Sequence, residues 1–182
     1  MGNIHHSIPT HIALRLRDQY NLRNFVETGT GAGRTAMWAA QHFSRVITIE
    51  LDRDRCHKAT RSIQRHRYDR NTTCIHGDSR DWLGHVLRLF LSPALIWLDG
   101  HWSQDLKYAV PKRGECPLLE EIDAINADGK EHVIMIDDAH QYVDPPNSDW
   151  PTFDVVKSRL ESEGEREVYV EDDVIVTEPM RG

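Results

Sequence analysis

The sequence predicts one α/β domain spanning residues 1–182, built on a mostly parallel sheet with helices on both faces and an antiparallel hairpin at its end. Three observations carry this. Five short apolar segments alternate with segments of helical spacing, the order that parallel pairing with crossover helices requires. Glycines and acidic residues stand where the strand-like segments stop. The last two strand-like segments are separated only by Asp172 and Asp173, close enough to pair as a hairpin.

Taken in order, Thr10 to Leu22 reads as a leading helix with Ile12, Leu14, Leu16 and Tyr20 as its apolar positions. "NFVETG" is the first strand, and "GTGAG" turns it into the helix "RTAMWAAQHF". "RVITIEL" is the second strand; "DRDRCHKATRSIQRH" is the helix after it, with Asp52 or Asp54 able to cap its start. "TTCIHGD" and "SRDWLGHVLRLF" are the third strand and its helix, and "ALIWLDG" is the fourth strand. In "CPLLEEIDAINADG", Leu118, Leu119, Ile122 and Ile125 make an apolar helix face that Gly129 would close. "HVIMIDD" is the fifth strand, "QYVDPPNSDWP" a proline-stiffened loop, and "TFDVVKSRLESEG" the helix before the hairpin strands "REVYVED" and "VIVTEP".

The composition narrows the function classes. With 39% hydrophobic and 28% charged residues the chain has the makeup of a folded domain with its own core. No apolar run approaches the roughly 20 residues that cross a bilayer, and the first residues lack the apolar stretch of a secretion signal. No membrane association is expected, and the expected compartment is the cytoplasm. A net charge of −7 disfavours nucleic acid as a partner. The basic run from His57 to Arg70 reads as a solvated helix face before a strand. Cys56, Cys74 and Cys116 form no CxxC unit and are expected as reduced thiols, with Cys116 the most exposed.

The sharpest local signal is "VETGTGAGRT". Gly29, Gly31 and Gly33 fall between a strand and a helix, where glycine permits a tight turn and lets backbone approach a ligand. Their G-x-G-x-G spacing departs from the nicotinamide fingerprint, and no Lys-Ser/Thr pair follows to make a P-loop. Glu50 ends the second strand, where a carboxylate can accept the hydroxyls of a ribose. Asp78 follows Gly77 at the end of the third strand, where it could meet an adenine amino group.

These residues resemble the motifs of class I S-adenosylmethionine-dependent methyltransferases over nearly the whole chain. "FVETGTGAG" is similar to that family's first motif, Glu50 to its ribose-binding acid, Asp78 with Ser79 to its adenine motif, and Asp99 in "LIWLDG" to its fourth motif. The resemblance implies a Rossmann-like fold, a seven-stranded sheet with a terminal hairpin. It implies S-adenosylmethionine held against Glu27, Thr28, Gly29, Thr30, Gly31, Gly33, Glu50, Leu51, Gly77, Asp78, Ser79 and Asp99, with Glu27 near the amino group of the methionine half.

Asp99 ends the fourth strand and Asp137 with Asp138 end the fifth, so three carboxylates are expected on one sheet edge. Carboxylates that converge repel one another unless a cation or hydrogen bonds neutralise them. The pattern resembles the metal-dependent O-methyltransferases of the catechol and macrolide-sugar type, which implies a divalent cation, Mg²⁺ by ligand chemistry, on Asp99, Asp137 and Asp138. His101 is the first choice as the base that takes a hydroxyl proton; His140 is the second. The expected partner is a small-molecule hydroxyl compound. Trp102 to Cys116 would be a lid over it, and a homodimer would complete the acceptor pocket. Two alternatives stay open: a nucleotide enzyme using another adenosine cofactor, and a cofactor-binding scaffold without turnover. The Asn/Asp-Pro-Pro-aromatic element of nucleic-acid N-methylating enzymes is not present after the fourth strand, which ends "LDGHW".

Overall fold

The computed structural model describes residues 8–101 and 113–180. Seven strands form one sheet in the order β3-β2-β1-β4-β5-β7-β6. The strands are β1 (Asn24–Thr28), β2 (Arg45–Glu50), β3 (Thr72–His76), β4 (Ala94–Leu98), β5 (Val133–Ile136), β6 (Arg166–Glu171) and β7 (Val174–Pro179). β1 to β5 pair in parallel, while β7 runs antiparallel to both β5 and β6. The expected α/β sheet and terminal hairpin are both present. Asp172 and Asp173 make the hairpin turn with φ of 50° and 64°, the left-handed pair that matches the twist of two-residue hairpins.

The helices are α1 (Thr10–Gln19), α2 (Arg34–Ala39), α3 (Arg53–Arg65), α4 (Ser79–Leu87), α5 (Leu118–Asp128), α6 (Ala139–Val143) and α7 (Phe153–Leu160). Successive strand residues point to opposite faces, so the central strands feed two cores. Val26, Ile47, Ile96 and Ile134 pack on one face with Leu83, Ile122 and Val156 of α4, α5 and α7. Phe25, Val46, Leu95 and Val133 pack on the other with Ile12, Ala36 and Ile63 of α1, α2 and α3. This double burial is why β4 is apolar at every position.

Three expectations need correction. The leading helix stops at Gln19, because Asn21 takes a left-handed φ of 48°. Part of the proline loop is helical: α6 forms at Ala139–Val143 and buries Tyr142. Cys116 is 8% exposed and the half-buried cysteine is Cys74, because Cys116 packs into the core beneath α5. The expected caps do form. Asp52 accepts from Arg55 N at 2.8 Å, and Gly129 closes α5 with φ of 71°.

Among the described residues no helix is long and apolar enough to cross a membrane.

Candidate functional site

β1 has β2 on one side and β4 on the other, so the chain's crossovers diverge at its carboxyl end. That divergence leaves a crevice outside the strand ends, where ligands bind in open α/β sheets. The glycine turn rises there. Gly29, Gly31 and Gly33 have φ of 82°, 53° and 76°, conformations that L side chains rarely adopt. A Cβ on Gly29 would stand 2.0 Å from the backbone oxygen of Asp99, so the turn is pressed against the end of β4. A Cβ on Gly31 would meet nothing within 4 Å, which leaves this part of the turn open to a ligand.

The carboxylate of Glu50 braces the turn. Its Oε2 accepts from Gly31 N at 2.8 Å and its Oε1 from Asp52 N at 2.9 Å. Behind it, Thr30 Oγ1 lies 2.6 Å from Thr48 Oγ1, and Thr48 Oγ1 donates to Glu27 Oε2 at 2.6 Å. Glu27 is 1% exposed, and burial pushes its carboxyl up to about 8. Leu51 follows Glu50 and stands exposed. Gly77 donates its N–H to the Glu50 carbonyl at 2.9 Å, and a Cβ there would lie 2.3 Å from the exposed Trp82 ring, which would have to turn aside. Asp78 caps α4, accepting from Arg80 N at 3.0 Å, and Ser79 begins that helix nearly buried.

The second half of the site lies at the ends of β4 and β5. His101 Nε2 is 3.0 Å from Asp138 Oδ2, which also accepts from Gln141 Nε2 at 2.7 Å. Asp138 sits at φ 55°, and the hydrogen bond from His101 is the chief cause that holds its carboxyl below the usual range. The His101 ring packs against Trp150, with centroids 4.9 Å apart. Asp99 behaves oppositely: burial, then Asp137, Glu27 and Asp138, push it well up. Burial and Asp138 push Asp137 up to about 6. So Asp99 feels the charges of Asp137 and Asp138, and Asp137 that of Asp138.

The ligand atoms of Asp99, Asp137 and Asp138 do not all come within 4.8 Å of one another, so the structure does not gather the expected trio into a metal-sized group. The described trio whose ligand atoms all lie within 4.8 Å is Asp138, His140 and Asp173. His140 is exposed and turned to the hairpin, its Nδ1 2.7 Å from Asp173 Oδ2. Asp173 is thus a candidate ligand that sequence reasoning missed; its left-handed turn position was the only signal.

Glu121 was missed as well. It belongs to the buried stripe of α5 with Leu118, Ile122 and Ile125, whereas Leu119, expected in that stripe, is only half-buried. It is 1% exposed and burial pushes it up to about 7. Its Oε1 and Thr28 Oγ1 are buried without a hydrogen-bond partner, and both lie against Gly100. Glu121 shares a pocket with His101, Tyr142 and Cys116. Most of the expected lid, residues 102–112, falls outside the described residues.

No protein-family model matches the chain, and no curated protein matches it by sequence. Solved structures do. An O-methyltransferase from Bacillus cereus, solved in complex with SAH, superposes with a TM-score of 0.63 at 17% identity, covering 96% of this chain and 82% of that one. The O-methyltransferase TomG from Streptomyces achromogenes, involved in tomaymycin synthesis and solved with SAM, gives 0.58 at 14% identity over 94% and 78%. A Podospora anserina methyltransferase bound to SAH gives 0.62 at 13% identity over 92% and 76%. The fold of this chain is the Rossmann-like fold of these methyltransferases.

Proposed function

We propose that this protein transfers a methyl group from S-adenosylmethionine to a hydroxyl of a small molecule. The observation that carries the reading is the pairing of His101, on the loop after β4, with Asp138 after β5, beside the Asp99 carbonyl that presses on the glycine turn. A cofactor held by the turn and an acceptor held beside His101 would therefore be neighbours.

The chain offers a fitting cradle for the cofactor. Gly31 leaves bare backbone facing open space, Glu50 stands buried at the edge of the turn, and Glu27 lies buried below it. S-adenosylmethionine, when bound, supplies a methyl group made electrophilic by its sulfonium. Glu50 would take the ribose hydroxyls with the lone pairs left over from its two backbone bonds, Glu27 would face the methionine amino group, and Asp78 the adenine.

The protein's own chemistry is proton removal. An ionised carboxylate only accepts, so Nε2 of His101 carries the hydrogen in its bond to Asp138. That leaves Nδ1 to take the hydroxyl proton as the oxygen attacks. Asp138 fixes the ring and stabilises the imidazolium that results, and Trp150 shields the ring from water.

A metal-assisted form of this reading is favoured by the mutual repulsion of Asp99, Asp137 and Asp138. His101 and Gln141 occupy Oδ2 of Asp138, and Asp138 N occupies Oδ1 of Asp137, which leaves one oxygen of each for a cation. Mg²⁺ held there would supply charge to stabilise an alkoxide.

The test is isotope-labelled methyl transfer from S-adenosylmethionine to a panel of sugars and phenols, beside calorimetry with adenosylhomocysteine. Methylated oxygen supports the reading. Tight adenosylhomocysteine binding with no product on any hydroxyl would favour a scaffold without turnover, and no binding at all would remove the cofactor assignment.

A further inference from the structure

The sulfurs of Cys56 on α3 and Cys74 on β3 are 3.1 Å apart. They approach from a helix and from the strand beneath it, and a displacement of about 1 Å would bring them to the about 2.05 Å of a disulfide. Cys56 is 4% exposed and Cys74 is half-buried, so solvent reaches the pair through Cys74. Cys116, the remaining cysteine, packs in the core on the other face of the sheet from the one Cys74 packs against. Cys74 Sγ also lies 3.7 Å from Thr30 Oγ1, the start of the Thr30–Thr48–Glu27 chain behind the glycine turn.

We propose that Cys56 and Cys74 are a modification site, a dithiol that closes reversibly to a disulfide by exchange with a low-molecular-weight disulfide of the glutathione class. The Cys74 thiolate attacks one sulfur of the small disulfide, whose S–S bond breaks and releases one small thiol. The Cys56 thiolate then attacks the Cys74 sulfur of the mixed disulfide and releases the second. The protein gives up two protons and two electrons, and the small disulfide is reduced to two thiols.

The geometry makes the two steps unequal. Burial, then Cys56, pushes the Cys74 thiol up to about 12, so the first attack is slow. The second has its nucleophile already in contact, so the mixed disulfide does not accumulate. The product ties α3 to β3 and removes the Cys74 S–H from Thr30, placing the change directly behind the turn.

The experiment treats the folded protein with oxidised glutathione, blocks remaining thiols with iodoacetamide, and maps the peptides by mass spectrometry. Expected is a fall from three free thiols to one, a Cys56–Cys74 cross-linked peptide, free Cys116, and full reversal by dithiothreitol. Cys56→Ser is expected to stop at a glutathione adduct on Cys74. Three thiols that stay free, a lasting adduct on the wild-type protein, or a bridge through Cys116 would each overturn the proposal. The wild-type map decides this whether or not the variant folds.

Discussion

Nε2 of His101 stands 3.0 Å from Oδ2 of Asp138, joining the loop after β4 to the end of β5. Asp138 adopts φ 55° there, a left-handed conformation that aims its carboxylate at the ring. If this pair performs the proton transfer, Asp138→Asn lowers kcat by roughly 10²-fold, the lower end of what a positioned base contributes. The affinity for adenosylhomocysteine stays within about twofold. Rate and affinity measured on the same preparation separate the two roles, because a loss of both in parallel would make Asp138 a structural residue of the cofactor site.

The glycine turn yields a contrast between neighbours. Gly29→Ala sets a methyl 2.0 Å from the Asp99 carbonyl, a clash with backbone that only movement of β4 relieves. Gly31→Ala meets nothing within 4 Å and carries only the left-handed strain of about 1–2 kcal/mol. Urea denaturation should show Gly29→Ala losing at least about 2 kcal/mol more than Gly31→Ala. The Gly31→Ala protein should fold and lose affinity for adenosylhomocysteine, since its methyl enters the space left for the ligand. Equal stability losses would mean that the turn does not bear on β4.

This contrast also marks how far the sequence could be read. Alternation of apolar strands and helices carried the sheet, and the spacing of Gly29, Gly31 and Gly33 carried the turn, because both are local patterns. The pairing of His101 with Asp138 spans 37 positions and depends on strand order, which local patterns do not encode. Glu121 was invisible for a different reason. A charged residue in a buried stripe looks like its solvent edge until the packing of α5 against the sheet is known. Asp173 reaches His140 only because the hairpin folds back over α6.

Glu121 gives a pH signature. Its carboxyl rises from an ordinary 4.5 to about 7 through burial, so the folded protein holds this proton more tightly than the unfolded chain. Its contribution to stability is therefore fully present below about 4.5 and is lost as pH rises through about 7. Glu121→Gln keeps the shape and removes the ionisation. Thermal unfolding at intervals between pH 4.5 and 7 should show a flatter dependence in the variant than in the wild type. Identical slopes would show that the ionised form finds a partner in the folded state.

Two sets of residues are candidates to hold the proposed divalent cation. Asp99, Asp137 and Asp138 stand at the ends of two neighbouring parallel strands and repel one another, which a divalent cation would relieve. Asp138, His140 and Asp173 are drawn closer, within 4.8 Å, but His140 and Asp173 are exposed and already bonded to each other. Hard cations prefer oxygen donors, and the three aspartates offer only oxygen and are half-buried. Mg²⁺ titration by calorimetry should therefore lose its signal in Asp99→Asn and keep it in Asp173→Asn. Methyl transfer should fall at least about tenfold in chelator and return with added Mg²⁺, as expected for charge stabilisation of an alkoxide. Signal lost in Asp173→Asn and kept in Asp99→Asn would move the metal to the hairpin. Full activity in chelator would leave His101 and Asp138 to perform the proton transfer with no cation beside them.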